Sequence, residues 1–295
     1  MLLNILFLSV PVIYTKVWNP VTNQWTTPLT LPDAYLNSDN IAEAYKDVIF
    51  IAGGYTADYV ALKRLVAWNV TSNTFYNKTS MSRARGDLGG AIVTTKLNRT
   101  MLYTVGGFTD VNNYCSPLRT VERYDIAADA WYSVADMLKG RGDMGVALLN
   151  QKIYTVAGET KTSTYCINNV LEDASSASLT VNDVESYDPN NNEFLSNPYS
   201  TSDSTPWVDE NDLYQALFRS RAAAWPGTNT LYVFGGQEAY NNSCDCFLSS
   251  NNVYGFVDTN AVTNNTKSSA SNAKHGTVFW SCAVSSLVLY LIYAW

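Results

Sequence analysis

The chain is poor in the residue types on which most enzyme and nucleic-acid sites depend. It has a single histidine, His275, and only 15% of its residues are charged. One histidine argues against a Ser-His-Asp or Cys-His catalytic set and against a copper site with several imidazole ligands. The 19 basic residues are outnumbered by 26 acidic ones, giving a net charge of −7. We therefore expect no surface that follows nucleic-acid phosphates, and no cofactor.

What the chain does contain is a repeat. An apolar residue, an aromatic, a spacer and a further apolar residue lead four times into a glycine-rich pair, at Ile49–Gly54, Leu102–Gly107, Ile153–Gly158 and Leu231–Gly236. The repeat glycines are Gly53, Gly54, Gly106, Gly107, Gly158, Gly235 and Gly236. A motif that recurs about every 50 residues indicates one supersecondary unit used several times.

A second landmark is in register with the first. Two aromatics lie seven residues apart after each of the first three glycine pairs, and once before them, as Trp68/Phe75, Tyr124/Trp131, Tyr187/Phe194 and Trp18/Trp25. Asn or Asp follows the first aromatic each time. Each unit is therefore predicted to contain four short strands, of which the second ends in the glycines and the third in the aromatic.

This ordered set resembles the kelch repeat, whose landmarks are Gly106-Gly107, Tyr124-Asp125 and Trp131 in the clearest copy. The resemblance covers roughly residues 15 to 258 and implies an all-β, kelch-type β-propeller of four-stranded blades. We expect about five blades with irregular closure, because Trp18 to Trp25 supplies only the end of an earlier blade. Ile5–Ser9 is a candidate for its second strand, and no clear fourth strand follows Asn252–Asp258.

The two termini differ in character from the repeats. Residues 1–14 are interpreted as a degenerate first strand or a weak signal peptide, 15–258 as the propeller, and 259–276 as a polar linker. Residues 277–295 are almost wholly apolar. Three interpretations of this tail stay open: a GPI-attachment signal, a transmembrane helix, or a buried final strand. Membrane attachment is favoured, and a cell-surface or secretory-pathway location is expected, with an intracellular membrane as the alternative.

Cysteines and sequons bear on the compartment. Cys115, Cys166, Cys244 and Cys246 all fall between the second and third strands of their units, which places them on one face of a propeller. They are candidates for disulfides in an oxidising compartment, with Cys115 to Cys166 one possible pair and free loop thiols the alternative. Glycosylation sequons occur at Asn69, Asn77, Asn98, Asn241 and Asn264, as expected by chance in so polar a chain.

Polar residues recur in the loops that join the units. Alignment on the glycines gives the candidate ligand-binding pairs Asn37/Asp39, Arg85/Asp87, Arg141/Asp143 and Arg219/Arg221. Two of them belong to Arg-Gly-Asp triplets, which we attribute to structural repetition in preference to adhesion. Because Arg presents a planar fork to carboxylates, the arginines are predicted to bind a carboxylate-bearing partner. The alternative is that they tie blades together.

These features predict a non-enzymatic, membrane-attached module that binds a protein or glycan through the face carrying these loops. One alternative is an intracellular, tail-anchored kelch interaction scaffold. Another is a glycoside hydrolase that uses only carboxylates, for which acids such as Asp209, Glu210 and Asp212 are available.

Overall fold

The structure is a computed structural model. It describes residues 14–15, 18–19, 22–25, 29–30, 32–110, 114–161, 166–167, 170–171, 178–191, 207–225, 228–241, 243, 246–258 and 271–272. Apart from two short 3-10 turns at Asp33–Tyr35 and Pro189–Asn191, the regular elements of this part of the chain are strands. The all-β prediction is confirmed.

Four antiparallel four-stranded sheets follow one another along the chain and form the blades of a β-propeller. The first blade contains β5 (Ile41–Tyr45), β6 (Val48–Ala52), β7 (Leu65–Asn69) and β8 (Thr74–Lys78). The second contains β9 (Gly89–Thr94), β10 (Thr100–Val105), β11 (Val121–Asp125) and β12 (Ala130–Val134). The third contains β13 (Gly145–Leu149), β14 (Lys152–Lys161), β17 (Ser178–Tyr187) and β18 (Val208–Asp209). The fourth contains β19 (Arg221–Ala224), β20 (Thr230–Phe234), β23 (Val253–Val257) and β24 (Ser271–Asn272).

The remaining strands are short and pair outside the blades. At the N-terminal end β1 (Tyr14–Thr15) pairs with β4 (Leu29–Thr30), and β2 (Trp18–Asn19) pairs with β3 (Gln24–Trp25). Two hairpins extend loops between second and third strands: β15 (Cys166–Ile167) with β16 (Val170–Leu171), and β21 (Gln237–Asn241) with β22 (Cys246–Ser249). The described residues form four blades, against the expected five or so. The β2–β3 pair has the predicted Trp18–Trp25 register but stands as a separate two-stranded sheet, and Ile5–Ser9 lies outside the described residues.

Two fourth strands differ from the sequence prediction. In the third blade the outer strand is β18, and the ring of Trp207 stacks on Tyr187 with centroids 5.3 Å apart. Trp207 therefore takes the place that was assigned to Phe194, which lies outside the described residues. In the fourth blade, where no clear outer strand was expected, Ser271 and Asn272 pair with β23. Both strands follow long connections, so spacing within the repeat could not locate them.

The blades pack through one aromatic contact that is repeated three times. In each of the first three blades, the aromatic residue of the second strand contacts an aromatic residue in the third strand of the next blade. The pairs are Phe50–Tyr124, Tyr103–Tyr187 and Tyr154–Phe256, with ring centroids 6.1, 6.0 and 5.6 Å apart. Each pair lies in an apolar cluster that joins two consecutive blades. Large aromatic rings bury the most area per residue, which explains their fixed place in the repeat.

The glycine pair lets each second strand end directly against the next blade. Gly107 has φ of +95° and donates its N–H to the carbonyl oxygen of Arg141 at 2.9 Å. A Cβ atom at this position would lie 2.5 Å from the carbonyl oxygen of Gly86. Gly54 makes the same bond to Arg85 at 2.8 Å. Only glycine combines this backbone conformation with so close an approach.

We expect Gly107→Ala to lower the free energy of unfolding by about 2 kcal/mol or more, because it adds left-handed strain and a collision with backbone. Gly255→Ala is the matched control, since the nearest atoms to a Cβ at Gly255 are 3.7 and 3.8 Å away. Urea unfolding of the two variants measures the difference. Equal midpoints would show that the glycine pair has no special structural role.

Candidate functional site

One loop residue of each blade occupies the same place beside the first strand. Asp39, Asp87, Asp143 and Arg219 all adopt positive φ, at 52°, 52°, 51° and 54°. Their backbones are hydrogen-bonded from blade to blade, with a backbone N–H donating to a backbone carbonyl oxygen each time. The distances are 2.9 Å from Asp87 to Asp39, 2.9 Å from Asp143 to Asp87, and 2.7 Å from Arg219 to Asp143. We call these four residues the loop row. Asp tolerates this conformation better than most residues, which explains why it recurs.

The residue that follows each glycine pair lies next to the loop row. Tyr55, Phe108, Glu159 and Gln237 form single β-bridges with Ser38, Gly86, Gly142 and Phe218, the residues just before the loop row. The hydroxyl of Tyr55 donates to Asp87 Oδ2 at 2.9 Å. Sequence reasoning missed this second set of residues. Its signal was available, because each member directly follows a glycine landmark.

Each residue of the Arg-Gly-Asp triplets has a structural role of its own, and those of the glycine and the aspartate lie in the loop itself. A Cβ at Gly86 would lie 2.2 Å from the ring of Tyr55, and one at Gly142 would lie 2.4 Å from the ring of Phe108. The glycine is therefore covered by an aromatic of the preceding blade, while the aspartate supplies the left-handed residue of the loop row. This geometry supports structural repetition as the origin of both triplets.

The arginines of the triplets are buried, which corrects their assignment as ligand-binding groups. The side chains of Arg85 and Arg141 are both 0% exposed. Arg85 pairs with Glu122 at 2.8 Å and donates to the carbonyl oxygens of Gly106 and Thr120 at 2.9 and 2.7 Å. Arg141 pairs with Glu185 and donates to the carbonyl oxygens of Ala157 and Asp183. Each guanidinium thus joins the loop to the second and third strands of its own blade.

Asn37 replaces the arginine in the first blade and is also structural. It is buried, and its amide donates to the carbonyl oxygen of Gly53 at 2.7 Å. The third-strand position that holds Glu122 in the second blade holds Val66 in the first. The shorter amide of Asn37 therefore keeps the hydrogen bond to the glycine carbonyl that Arg85 makes in the second blade, but without the ion pair.

In the fourth blade the predicted pair is shifted by two residues. Arg219, not Arg221, continues the loop row, because Arg219 donates to Asp143 and Phe218 bridges to Gln237. Leu217 consequently takes the place of Arg85, and Arg221 begins strand β19. The misalignment arose because residues were counted back from the second glycine. Arg219 lies 17 residues before Gly236, whereas Asp39 and Asp143 lie 15 residues before Gly54 and Gly158, so the fourth repeat contains two more residues between loop and glycines.

Burial and the repulsion between neighbouring carboxylates raise the pKa values of Asp87 and Asp143 in the loop row. Burial raises the pKa of Asp143 to about 6, against the opposing effect of Arg219, whose Nε lies 3.3 Å from Asp143 Oδ2. Burial, together with the carboxylates of Asp143 and Asp39, also raises the pKa of Asp87. Arg219 donates further to Gln237 at 3.2 Å. The loop row is thus an acidic patch with one cation at its end.

Around this patch the same face carries exposed aromatic residues. Tyr59 is 62% exposed and packs against Tyr55 with ring centroids 6.2 Å apart, and the side chain of Arg219 is 60% exposed. The ring of Tyr114 packs edge-on against Tyr55 with centroids 5.7 Å apart, and its hydroxyl donates to the carbonyl oxygen of Tyr59. Tyr and Arg are the residue types that carry most binding energy at protein interfaces.

Cys115, Cys166 and Cys246 lie where the sequence placed them, between second and third strands. Cys115 and Cys246 are each part of a disulfide. Cys166 begins β15, and Cys244 lies outside the described residues. The predicted pairing of Cys115 with Cys166 stays a prediction.

Two kinds of feature are absent from the described residues. No three His, Cys, Asp or Glu side chains there are grouped so that they could hold a metal ion. No helix in the same residues is both long and apolar enough to cross a membrane. The hydrophobic segment 277–295 lies outside the described residues.

Comparison with known proteins identifies the repeat. Residues 99–138, which contain β10 to β12, match the family described as Kelch motif. Kelch repeat and BTB domain-containing protein 1 of cowpox virus (strain Brighton Red) is 26% identical over 233 residues, covering 70% of this chain and 40% of that protein. Kelch-like protein 23 of Homo sapiens is 25% identical over 241 residues, covering 80% of this chain and 36% of that protein. The chain spans about two fifths of the length of these relatives.

A solved structure, titled Structure of YjhT, superimposes with a TM-score of 0.61 and 12% sequence identity. The match covers 84% of this chain and 73% of that one. At this identity the likeness shows a shared fold and nothing about activity.

Removing a buried arginine should destabilise the protein. Arg85→Met leaves the carboxylate of Glu122 buried without its ion partner, so we expect a loss of roughly 3–5 kcal/mol in the free energy of unfolding. Arg85→Lys should also destabilise, because an ammonium cannot reproduce the planar fork. The control is Arg219→Met at an exposed position, expected to cost about 1 kcal/mol or less. Urea midpoints that rank Arg219→Met as the worst variant would refute the structural assignment.

The raised pKa of Asp143 predicts a pH effect. The native state holds this proton more tightly than the unfolded chain, so the contribution of Asp143 to stability should fall as pH rises from about 4 to about 6. Asp143→Asn keeps a residue suited to positive φ and removes the carboxyl group. Its stability relative to wild type should therefore rise across that window and stay constant above it. Thermal unfolding of both proteins from pH 4 to 8 measures this, and a difference in stability that does not change with pH would contradict the assignment.

Proposed function

Because the chain is a kelch-repeat β-propeller, we propose that it works as a non-enzymatic protein-binding module that uses the face bearing the loop row. The relatives named above carry kelch repeats, and a propeller fold by itself fixes no chemistry. The choice of face therefore rests on the side chains that it presents. The observation that carries the proposal is that exposed Tyr59 and Arg219 lie beside the desolvated acids of the loop row: Tyr59 packs against Tyr55, which is bonded to Asp87, and Arg219 is paired with Asp143.

The chemistry of this face differs from the one expected from the sequence. With Arg85 and Arg141 turned into their own blades, the groups that remain near the surface are Asp87, Asp143 and Arg219. Carboxylates that burial has already desolvated favour a partner that brings a positive charge close to them. A partner loop with a basic side chain, flanked by residues that pack on Tyr59, fits this face better than an acidic ligand.

A binding role also agrees with how the acids are held. Asp87 accepts from Tyr55, and Asp143 is paired with Arg219, so both side chains already have partners within the blades. A glycosidase needs one carboxyl group free to protonate a leaving group and a second free to act as base or nucleophile. Glycan recognition, glycosylation and membrane attachment stay predictions from the sequence, as does the cell-surface location.

The test compares two tyrosines of similar exposure. Tyr59 lies on the proposed face, whereas Tyr76 lies on the outer strand β8 and is 55% exposed. A partner captured by the immobilised full chain is purified and titrated against wild type, Tyr59→Ala and Tyr76→Ala. We expect Tyr59→Ala to weaken binding about tenfold, or about 1.4 kcal/mol, and Tyr76→Ala to leave it unchanged.

The melting temperature of both variants serves as the folding check. If neither substitution alters the affinity, or if Tyr76→Ala is the more harmful, the partner binds elsewhere and the proposed face is wrong.

A further inference from the structure

Three tyrosines form a cluster beside Asp87 of the loop row. The hydroxyl of Tyr55 donates to Asp87, and the side chain of Tyr55 is almost fully buried. Tyr114 packs edge-on against the ring of Tyr55 at 5.7 Å, and Tyr59 packs against the same ring at 6.2 Å. The hydroxyl of Tyr114 also donates to the carbonyl oxygen of Tyr59. Tyr114 therefore contacts Tyr55 and restrains Tyr59, the residue on which the proposed binding face depends.

Both outer tyrosines have an unfavourable backbone conformation. Tyr59 and Tyr114 adopt positive φ, at 58° and 59°. A bulky residue rarely adopts this conformation, which persists only where surrounding contacts hold it. The N–H of Tyr114 donates to the carbonyl oxygen of Thr109 at 3.1 Å, but the described residues between Thr109 and Leu118 belong to no strand. The loop therefore needs a constraint beyond backbone pairing to keep Tyr114 in place.

The disulfide of Cys115, the residue that follows Tyr114, supplies such a constraint. Cys115 is buried and is part of a disulfide. A disulfide holds the Cα atoms of its two cysteines roughly 4.4–6.8 Å apart, so it limits the movement of the residues on either side. The disulfide therefore restrains Tyr114 against Tyr55.

The same arrangement recurs at the other end of the loop row. Cys246 is also part of a disulfide, and the next residue, Phe247, packs edge-on against Phe218 at 5.0 Å. Phe218 precedes Arg219, whose guanidinium lies over the Phe218 ring at 5.3 Å. Here, however, Phe247 belongs to β22, which pairs with β21. Strand pairing holds this aromatic in addition to the disulfide.

We propose that the disulfide of Cys115 is a redox switch for the binding face. In the oxidised chain it holds Tyr114, and through it Tyr59, in the arrangement that a partner meets, so that less ordering is required on binding. A dithiol reductant breaks the bond, Tyr114 is released from Tyr55, and the affinity for the partner falls. This inference rests on the proposed function, because it concerns the regulation of the same face.

The chemical step is thiol–disulfide exchange. A thiolate of the reductant attacks one sulfur of the protein disulfide and forms a mixed disulfide, while the other protein sulfur leaves as a thiolate and takes up a proton. The second thiol of the reductant then displaces the remaining protein sulfur. Two electrons pass to the protein, which gains two thiols, and the dithiol becomes a disulfide.

Hydrogen–deuterium exchange of the full chain tests the switch without a partner. The N–H groups of Tyr59 and Tyr114 donate to Thr56 at 3.0 Å and to Thr109 at 3.1 Å, so peptides that contain them report on both loops. After treatment with dithiothreitol we expect these amides to exchange about tenfold faster. Cys115→Ser should show the fast exchange without reductant. The control is the β21–β22 hairpin, which also contains a disulfide cysteine and should change much less because its strands are paired.

The captured partner is then titrated against the oxidised and the reduced chain. We expect reduction to weaken binding about tenfold. Tyr114→Ala should bind with the affinity of the reduced wild type in both states, because the side chain that the disulfide restrains is gone. Tyr76→Ala, on the outer strand β8, is the control and should keep the full redox effect.

The two measurements separate this proposal from the proposed function. Equal exchange in both redox states, or an equal increase in the β21–β22 hairpin, would overturn the switch. So would an affinity that reduction leaves unchanged for a partner that Tyr59→Ala weakens, and the proposed function would then stand. A partner whose affinity Tyr59→Ala leaves intact would refute the proposed function instead, and the exchange measurement would still decide whether the loop responds to reduction. Because that measurement uses the wild-type chain, misfolding of Cys115→Ser would not remove the test.

Discussion

The propeller depends on the contact between a glycine pair and the loop of the following blade. A second strand that ends in two left-handed glycines brings its backbone N–H to the carbonyl oxygen of the next blade's Arg85 or Arg141. That contact fixes the distance between blades, and the aromatic pairs then fill the space farther out. In the third blade Ala157 takes the first glycine position with φ of 57°, which shows that this conformation is kept even where glycine is not.

The buried arginines have two roles at this junction. The backbone of Arg85 accepts the bond from Gly54 of the first blade, while its side chain is paired with Glu122 in the second. One residue thus joins two blades, with its main chain in one and its charge in the other. An ion pair so fully buried gains little net stability, but its loss is costly, so it specifies how the loop must fold.

Much of the fold was predictable because glycine pairs and aromatics are demanded at every repeat. The role of Arg85 was not, since its partner Glu122 lies 37 residues away and no local pattern links them. Comparison of the repeats does show that the two positions change together. Where the arginine is replaced, by Asn37 or Leu217, the position of the glutamate is also apolar or aromatic, as Val66 or Tyr254. The fourth repeat was misaligned because it has two more residues between its loop and its glycines than the first and third repeats, and Tyr55 and Gln237 were overlooked because they vary between blades.

The loop row and the glycine pairs link neighbouring blades by backbone bonds of opposite direction. In the loop row the N–H of the later blade donates to a carbonyl oxygen of the earlier one, as from Asp87 to Asp39. At the glycine pair the N–H of the earlier blade donates to a carbonyl oxygen of the later one, as from Gly54 to Arg85. Each of these blade junctions is therefore reciprocal: both blades donate and both accept, so a shift of one blade along the other would break both bonds.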